Sequence, residues 1–150
     1  MSRIADALFA LAITLWVGAL WAIGYISAPV LFEYAGNRLL AGQLAGHQFV
    51  VVAWLGLVCG VYALVYLLLR EGLKVLHSAT FWLIVAMLVL ALVGHFGVTP
   101  IIETLRVQLA RDMVEGLTRS RFATWHGVAS VLWLVQSILG AALVMRVVRR

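Results

Sequence analysis

Residues 75–102 read VLHSATFWLIVAMLVLALVGHFGVTPII, a stretch without a single Asp, Glu, Lys or Arg. Three further stretches share this property, namely residues 7–32, 39–69 and 122–145. A helix needs about 20 predominantly apolar residues to cross the hydrocarbon core of a bilayer, and each stretch is long enough. The sequence therefore predicts four transmembrane helices, at about residues 7–32, 47–69, 75–98 and 122–146.

The composition agrees with an all-α integral membrane bundle of four helices, formed by one domain over residues 1–150. Hydrophobic residues make up 65% of the chain, charged residues 11%, and the mean hydropathy is +1.08. The net charge of +5 does not indicate nucleic-acid binding. The basic residues lie at helix ends and in connections, where lipid phosphates favour them, so the expected surroundings are a lipid bilayer.

The connection between the third and fourth spans is also predicted to be helical. Thr99-Pro100 supplies a capping residue followed by proline at the first helical position. Apolar residues then recur on one face, at Ile101, Leu105, Leu109, Met113 and Leu117, opposite Glu103, Arg106, Arg111 and Glu115. Arg111 and Glu115 have the spacing of an ion pair. Two geometries fit: an amphipathic helix on the membrane surface or bundle top, or a helical extension of span three past a kink at Pro100.

Three histidines are expected near the same membrane face: His47 at the start of span two, His95 at the end of span three, and His126 near the start of span four. Imidazole is a common ligand of zinc, copper and haem iron, and bundle interiors suit such sites. A haem or a transition metal is therefore the cofactor that this arrangement suggests. The competing interpretation is an interfacial side chain at each position, with one ring nitrogen in water.

His126 belongs to a polar-tipped stripe on span four, formed by residues at i, i+4, i+7 and i+11: His126, Ser130, Trp133 and Ser137. Polar residues within spans turn to the bundle interior, although an ordinary packed core with satisfied hydroxyls explains most of them equally well. We expect His126 to face span one near Tyr25 or Pro29. It should have a hydrogen-bond partner there, since an unsatisfied buried polar group costs about 1–3 kcal/mol.

Span two carries Gly56-x-x-x-Gly60, a small-residue face that lets a second helix approach closely. The helix that packs there is either another span of the same bundle or a span of a neighbouring copy. The sequence leaves both open.

Short motifs along the whole chain carry a family resemblance. They are Trp16-Val17-Gly18-Ala19, Ala28-Pro29-Val30-Leu31-Phe32, Thr99 to Arg106 (TPIIETLR), and Phe122 to Ser130 (FATWHGVAS). They resemble the transmembrane protein 205-like family of uncharacterised bacterial membrane proteins, which implies a four-span bundle in the inner membrane with no settled molecular function. Span one is also remotely similar to copper resistance protein D and to the four-span protoporphyrinogen oxidase. The latter likeness implies haem and histidines within the spans, but span one of this chain has no histidine.

Two functions from different classes follow. The first, which we favour, is a non-catalytic membrane subunit or assembly factor. It would join a homo-oligomer or a larger complex through Gly56–Gly60 and residues 101–117. The alternative is a metal- or haem-handling protein that uses His126 with His95 or His47.

The basic residues predict the orientation of the bundle. Four spans place both termini and the second connection on one side, which carries six Lys and Arg residues against five on the other. Because the six are concentrated in a short turn and a terminal tail, the positive-inside rule puts both termini in the cytoplasm. A reporter fused after Arg150 should therefore be active in the cytoplasm. Activity only outside it would reverse this topology.

Overall fold

The computed structural model describes residues 3–111 and 115–149, and its elements are all helical. The α-helices are α1 (Arg3–Trp21), α2 (Ala28–Tyr34), α3 (Arg38–Glu71), α4 (Ala79–Leu92), α5 (Thr99–Arg111) and α6 (Glu115–Val148). A first π-helical segment (Ala22–Ser27) joins α1 to α2, and a second (Val93–Val98) joins α4 to α5. A 3-10 turn (Gly72–His77) follows α3. The predicted all-α membrane bundle is confirmed.

Four continuous helical stretches in the described residues are long and apolar enough to cross a membrane: Arg3–Tyr34, Arg38–His77, Ala79–Leu109 and Gly116–Val148. The second begins at Arg38 rather than near residue 47. Asn37 caps it there, since its side-chain oxygen accepts hydrogen bonds from the backbone N–H groups of Leu39 (2.8 Å) and Leu40 (3.4 Å). The α-helix ends before Gly72, whose φ of 58° suits a glycine better than any residue with a Cβ.

The spans form a ring in which α1 packs on α3, α3 on α4, α4 on α6, and α6 on α1. Because α3 and α6 each lie between α1 and α4 in this ring, α1 and α4 occupy diagonal positions. Large apolar side chains cover the outer surface, among them Leu11, Leu15, Val51, Val58, Val131 and Ile138. A surface of this kind, around helices of this length, implies a lipid bilayer as its surroundings.

The close-packed core lies in the half of the bundle that contains the two termini. Its buried members are Phe9, Ile13, Trp16, Val17, Cys59, Ala63, Tyr66, Leu67, Val75, Phe81, Ile84, Met87, Leu88 and Leu143. Phe9 of α1 stacks on Tyr66 of α3. Next to this pair, the Asp6 carboxylate links α1 to α3. Arg70 donates a hydrogen bond of 2.7 Å to the Asp6 carboxylate, and the Tyr66 hydroxyl donates to the same oxygen.

The Gly56–Gly60 face of α3 packs inside the bundle. Trp16 of α1 is only 1% exposed, and a Cβ built on Gly56 would lie 2.3 Å from its Nε1 atom. A Cβ on Gly60 would lie 2.6 Å from Leu88 and 2.9 Å from the Trp16 ring. The helices that approach this face are therefore spans one and three of the same chain.

The segment after Pro100 extends span three. Helices α4 and α5 are continuous through the second π segment, and α5 packs along α6. Leu105, at the centre of the expected apolar face, is buried, and Ile101 and Leu109 are half-buried. Leu117 is exposed at the start of α6. Met113 and the side chains of the expected Arg111–Glu115 pair lie outside what the structure describes.

Replacing Gly56 with alanine should destabilise the protein. The new methyl group would enter the space of the buried Trp16 indole, and overpacking of this kind costs about 1–3 kcal/mol. Gly18→Ala is the matched control, because a Cβ at Gly18 meets nothing within 4 Å and alanine favours the helix. Thermal unfolding in detergent measures both variants. Equal midpoints for the two would show that the glycine face is not closely packed.

Candidate functional site

The half of the bundle away from the termini contains a cavity of about 460 Å³, lined by residues of all four spans. Its apolar lining includes Leu20, Phe32, Phe49, Val52, Leu90, Val98, Ile102 and Leu132. Polar side chains reach it from α4–α5 and α6. A concave, mostly apolar site with a few polar groups is the usual form of a small-molecule binding site.

Both π segments contribute to the cavity wall, and a proline explains each of them. Pro29 and Pro100 come two residues after these segments. A proline has no N–H, and its ring clashes with the carbonyl four residues earlier, so a regular α turn is unfavourable. The turn is widened instead. The N–H of Ala28 bonds to the carbonyl of Ile23, and that of Thr99 to Gly94, each five residues back.

The widened turns determine which residues of spans one and three face the cavity. The first π segment supplies Gly24 and Tyr25, and the second supplies Gly94 and His95. Gly24 allows the Trp133 indole to approach the backbone, because a Cβ at this position would lie 2.0 Å from Trp133 Nε1. Single π turns within α-helices are frequent at functional sites.

Two buried polar atoms on the cavity wall have no hydrogen-bond partner among the described residues: Trp133 Nε1 and His95 Nδ1. Both rings are held by aromatic contacts. Phe49 meets Trp133 edge-to-face at 4.7 Å between ring centroids, and Trp54 meets His95 at 5.4 Å. An unsatisfied buried donor or acceptor costs about 1–3 kcal/mol. A hydrogen-bonding molecule in the cavity would meet two groups that no other described residue satisfies.

Arg106 and Glu103 form an ion pair at the cavity, with Arg106 Nη1 2.6 Å from Glu103 Oε1. The Arg106 side chain is only 15% exposed and lies over Gly42 and Gly46 of α3. A Cβ on Gly46 would lie 3.0 Å from the guanidinium and 3.2 Å from the carboxylate. The spacing of residues 101–117 predicted both charges on a polar face opposite the apolar one. The second glycine pair on α3 was the available signal that a long side chain packs there.

The expected site residues are only partly brought together. His95, His126, Ser130, Trp133 and Tyr25 all line the cavity, whereas Ser137 is buried outside its lining. His47 is exposed and also lies outside the lining, with Nδ1 2.8 Å from the carbonyl oxygen of Gln43 on its own helix. Among the described residues, no group of three or more His, Cys, Asp or Glu side chains could hold a metal ion.

His126 shares the cavity with Tyr25 and Pro29, but its surroundings differ from the expected ones. We expected a buried imidazole with a hydrogen-bond partner. The side chain is instead exposed in the isolated protein, and its ring stacks on Phe122 at 5.9 Å with an angle of 8° between the planes. Because α6 presents this residue at the rim, it is not forced to find a partner within the bundle.

Two amides missed by the sequence analysis join the spans around the cavity. Gln136 is 7% exposed, and its Nε2 lies 3.4 Å from the carbonyl oxygen of Met87. Ser27, in the first π segment, donates a 2.8 Å hydrogen bond to Gln48 of α3. The signal was an amide within an apolar run, because such a group must find a partner inside the bundle.

Comparison with known families places the chain in one of them. A family described as Domain of unknown function (DUF4149) matches residues 11–111, well over half of the chain, and the chain belongs to this family. The matched part covers the first three spans and their sides of the cavity, while residues 126–137 of the polar stripe lie beyond it. No curated protein and no solved structure matches the chain.

Cysteine labelling should distinguish the rim of the cavity from its wall. In a Cys59→Ala background, His126→Cys should react with a small maleimide at least about tenfold faster than His95→Cys, because thiol reactivity follows exposure. His126 is exposed, whereas His95 is half-buried and its Nδ1 is inaccessible. Equal rates in detergent-purified protein would contradict this geometry.

Proposed function

We propose that this member of an uncharacterised family is a non-catalytic membrane subunit or assembly factor whose cavity holds a neutral amphipathic molecule. The observation that carries the proposal is the pair of buried atoms without a partner among the described residues, Trp133 Nε1 and His95 Nδ1, whose residues both line the cavity. A carbonyl or hydroxyl oxygen on the ligand would accept the indole hydrogen bond. The apolar part of the ligand would occupy the space between the aliphatic and aromatic side chains of the lining.

The charges around the cavity favour a ligand without net charge. Arg106 lies in the cavity lining, and the Glu103 carboxylate at 2.6 Å compensates the charge of the guanidinium. An anionic ligand would have to compete with this carboxylate for the guanidinium. A neutral oxygen could instead accept from the remaining Arg106 N–H groups without disturbing the ion pair.

The hydroxyl groups near the cavity support a binding role rather than catalysis. Ser130 donates to the carbonyl oxygen of His126 at 2.9 Å, and Ser137 to that of Trp133 at 2.9 Å. Thr99 donates to the Gly94 carbonyl at 3.0 Å. A nucleophilic hydroxyl needs a base within hydrogen-bond reach to take its proton, and these three donate to carbonyls of their own helices instead.

As a subunit, the protein would contact partners through surfaces other than the glycine face. Gly56 and Gly60 are covered by side chains of the same bundle, whereas Val107 and Leu117 are exposed on the hairpin of α5 and α6. The proposal keeps a bacterial inner-membrane location with both termini in the cytoplasm, supported by the basic residues and by the resemblance to transmembrane protein 205-like proteins.

The alternative function is metal or haem handling. His95 and His126 line the same cavity, and this is the observation that favours it. His47, the third histidine of that hypothesis, lies outside the lining. Protein purified in mild detergent would support this alternative if it showed a Soret band or contained stoichiometric iron, copper or zinc.

Ligand retention tests the cavity directly. The full chain should co-purify with a neutral amphipathic molecule, identified by mass spectrometry of the organic extract. Trp133→Phe should retain it about tenfold less well, because the ring stays while the hydrogen-bond donor is lost. Trp21→Phe is the matched control, since the Trp21 indole lies outside the cavity lining and faces the carbonyl of Ser137 at 3.4 Å.

Equal retention by the two tryptophan variants would show that the Trp133 N–H does not bond to the ligand. A chain that binds no organic molecule, in an extract that retains other membrane lipids, would reject the proposal itself.

A further inference from the structure

The lining of the cavity is exposed mainly on one side of the bundle. Of the described residues that line it, seven are exposed, and six of these belong to spans one and four. The six are Tyr25, Pro29, Phe32, His126, Ser130 and Leu134. A residue that both lines a cavity and is exposed lies at its mouth. The cavity therefore has an opening between the outer part of span one, which is α2 with the first π segment, and α6.

The packing of the helices explains why the bundle is open there. α1 packs along α6, and two contacts hold these spans together at the inner end of the opening. Trp21 Nε1 lies 3.4 Å from the carbonyl oxygen of Ser137, and the Trp133 indole packs against Gly24. Beyond the π segment, α2 packs on α3 and makes no comparable contact with α6 in the described part of the chain. Spans one and four therefore separate beyond Gly24.

The side of the cavity formed by spans two and three is closed. Among the described lining residues of span two, none is exposed. The Arg106 side chain lies over Gly42 and Gly46, and the Trp54 ring meets the His95 ring at 5.4 Å between centroids. Among the described lining residues of span three, Glu103 alone is exposed, and it lies at the outer end of the cavity beyond the apolar stretch.

The opening lies at the depth of the hydrocarbon core. Its residues fall within the stretches 7–32 and 122–145, which contain no charged residue. The neighbouring Val30 and Val131 are exposed as well, so apolar surface flanks the opening on both spans. The bilayer core contains no water and excludes charged solutes. A molecule that enters between α2 and α6 must therefore first dissolve in the bilayer.

We propose that the cavity takes up a neutral lipid with a long hydrocarbon chain, which enters sideways from the bilayer between α2 and α6. A carbonyl or hydroxyl oxygen of this lipid would accept the Trp133 indole N–H, and the chain would extend through the opening. Because the Glu103 carboxylate already compensates Arg106, a lipid without a phosphate fits this site better than a phospholipid. The inference rests on the proposed function, since it names the class and the route of the proposed ligand.

Thiol labelling in proteoliposomes tests the route. Ala91 lines the cavity and is only 6% exposed, so Ala91→Cys in a Cys59→Ala background reports entry into the cavity. N-dodecylmaleimide, a neutral carbonyl compound with a hydrocarbon chain, is the probe dissolved in the bilayer, and a sulfonated maleimide is the probe dissolved in water. Each rate is divided by the rate of the same reagent on SDS-unfolded protein. The dodecyl reagent should react at least about tenfold faster, because the charged reagent is excluded from the hydrocarbon core.

Narrowing the opening should slow the dodecyl reagent. Ser130→Trp places an indole at the rim and should lower the rate about fivefold, since thiol reactivity follows access. His126→Trp, one turn away on the same rim, is a second variant with the same expected effect. The matched control is Val131→Trp, because Val131 is exposed on the same helix but lies outside the lining. Unfolding midpoints like that of the parent chain would show that the variants fold.

Two results would overturn the inference. The first is a sulfonated reagent that reacts as fast as the dodecyl reagent, which would place the entrance in water near Glu103. The second is labelling that neither rim variant slows more than Val131→Trp does. Both would leave the proposed function intact if the purified chain retains a neutral molecule. Labelling from the bilayer in a chain that retains no molecule would keep the opening, but it would overturn the lipid ligand together with the proposed function.

Discussion

The contact between the Trp16 indole and the glycine face of α3 is the interaction on which the rest of the bundle depends. Lipid tails are as apolar as leucine side chains, so helices in a bilayer associate through close packing rather than through exclusion of water. Gly56 and Gly60 leave the space that Trp16 fills, and Leu88 of α4 closes the same surface. This arrangement sets the distances among the first three spans. One helical turn beyond Trp16, Leu20 already lines the cavity, so the indole stands at the boundary between the packed and the hollow halves.

The half of the bundle that contains the cavity is shaped by a second constraint. This constraint comes from the prolines of two diagonal spans, Pro29 and Pro100. A helix buried in lipid cannot leave backbone groups unsatisfied, and a proline within a span removes one donor and displaces one carbonyl. Both spans solve this problem with a π turn just before the proline, which keeps the chain helical. Because α1 and α4 face each other across the ring, the two widened turns lie on opposite walls of one cavity. Span two has no proline and runs as one long α-helix from Arg38 to Glu71.

Hydropathy and local patterns predicted the depth of residues better than the direction in which they point. The four spans, the helical connection after Thr99 and the end of α3 near Gly72 follow from local chemistry, namely length, capping and glycine. His47 and His126 were placed near one membrane face for the same reason. Whether a side chain faces a cavity depends on the rotation of its helix. A span that is apolar on all sides carries little information about that rotation, and His47 accordingly lies outside the site.

The π segments, and the identity of the side chain that packs on the second glycine pair of α3, could not be predicted from the sequence for a related reason. Pro29 and Pro100 indicate an irregularity, but a kink, a break and a π turn all relieve the same clash. The position of Arg106 depends on Gly46, which is distant in sequence and is met only because the Arg106 side chain reaches from α5 to α3 in the assembled bundle. Such contacts are decided by the assembled bundle rather than by any single helix.

Most of the described Ser and Thr hydroxyl groups in this bundle donate to carbonyl oxygens of their own helix. The few buried polar groups without a partner among the described residues are therefore the ones that a ligand could satisfy. Thr14, Thr104, Thr124 and Ser130 each donate to the carbonyl four residues earlier, so their hydroxyl groups add no demand on neighbouring helices. The indole N–H of Trp133, which packs against Gly24 of the first π segment, has no hydrogen-bond partner among the described residues. Its unsatisfied bond lowers the stability of the folded chain, and a ligand that accepts it restores this free energy. By mass action, a molecule that binds one site of the folded state only raises the free energy of unfolding by RT ln(1 + [L]/Kd). The stability of the bundle and the occupancy of its cavity should therefore be coupled through this one donor.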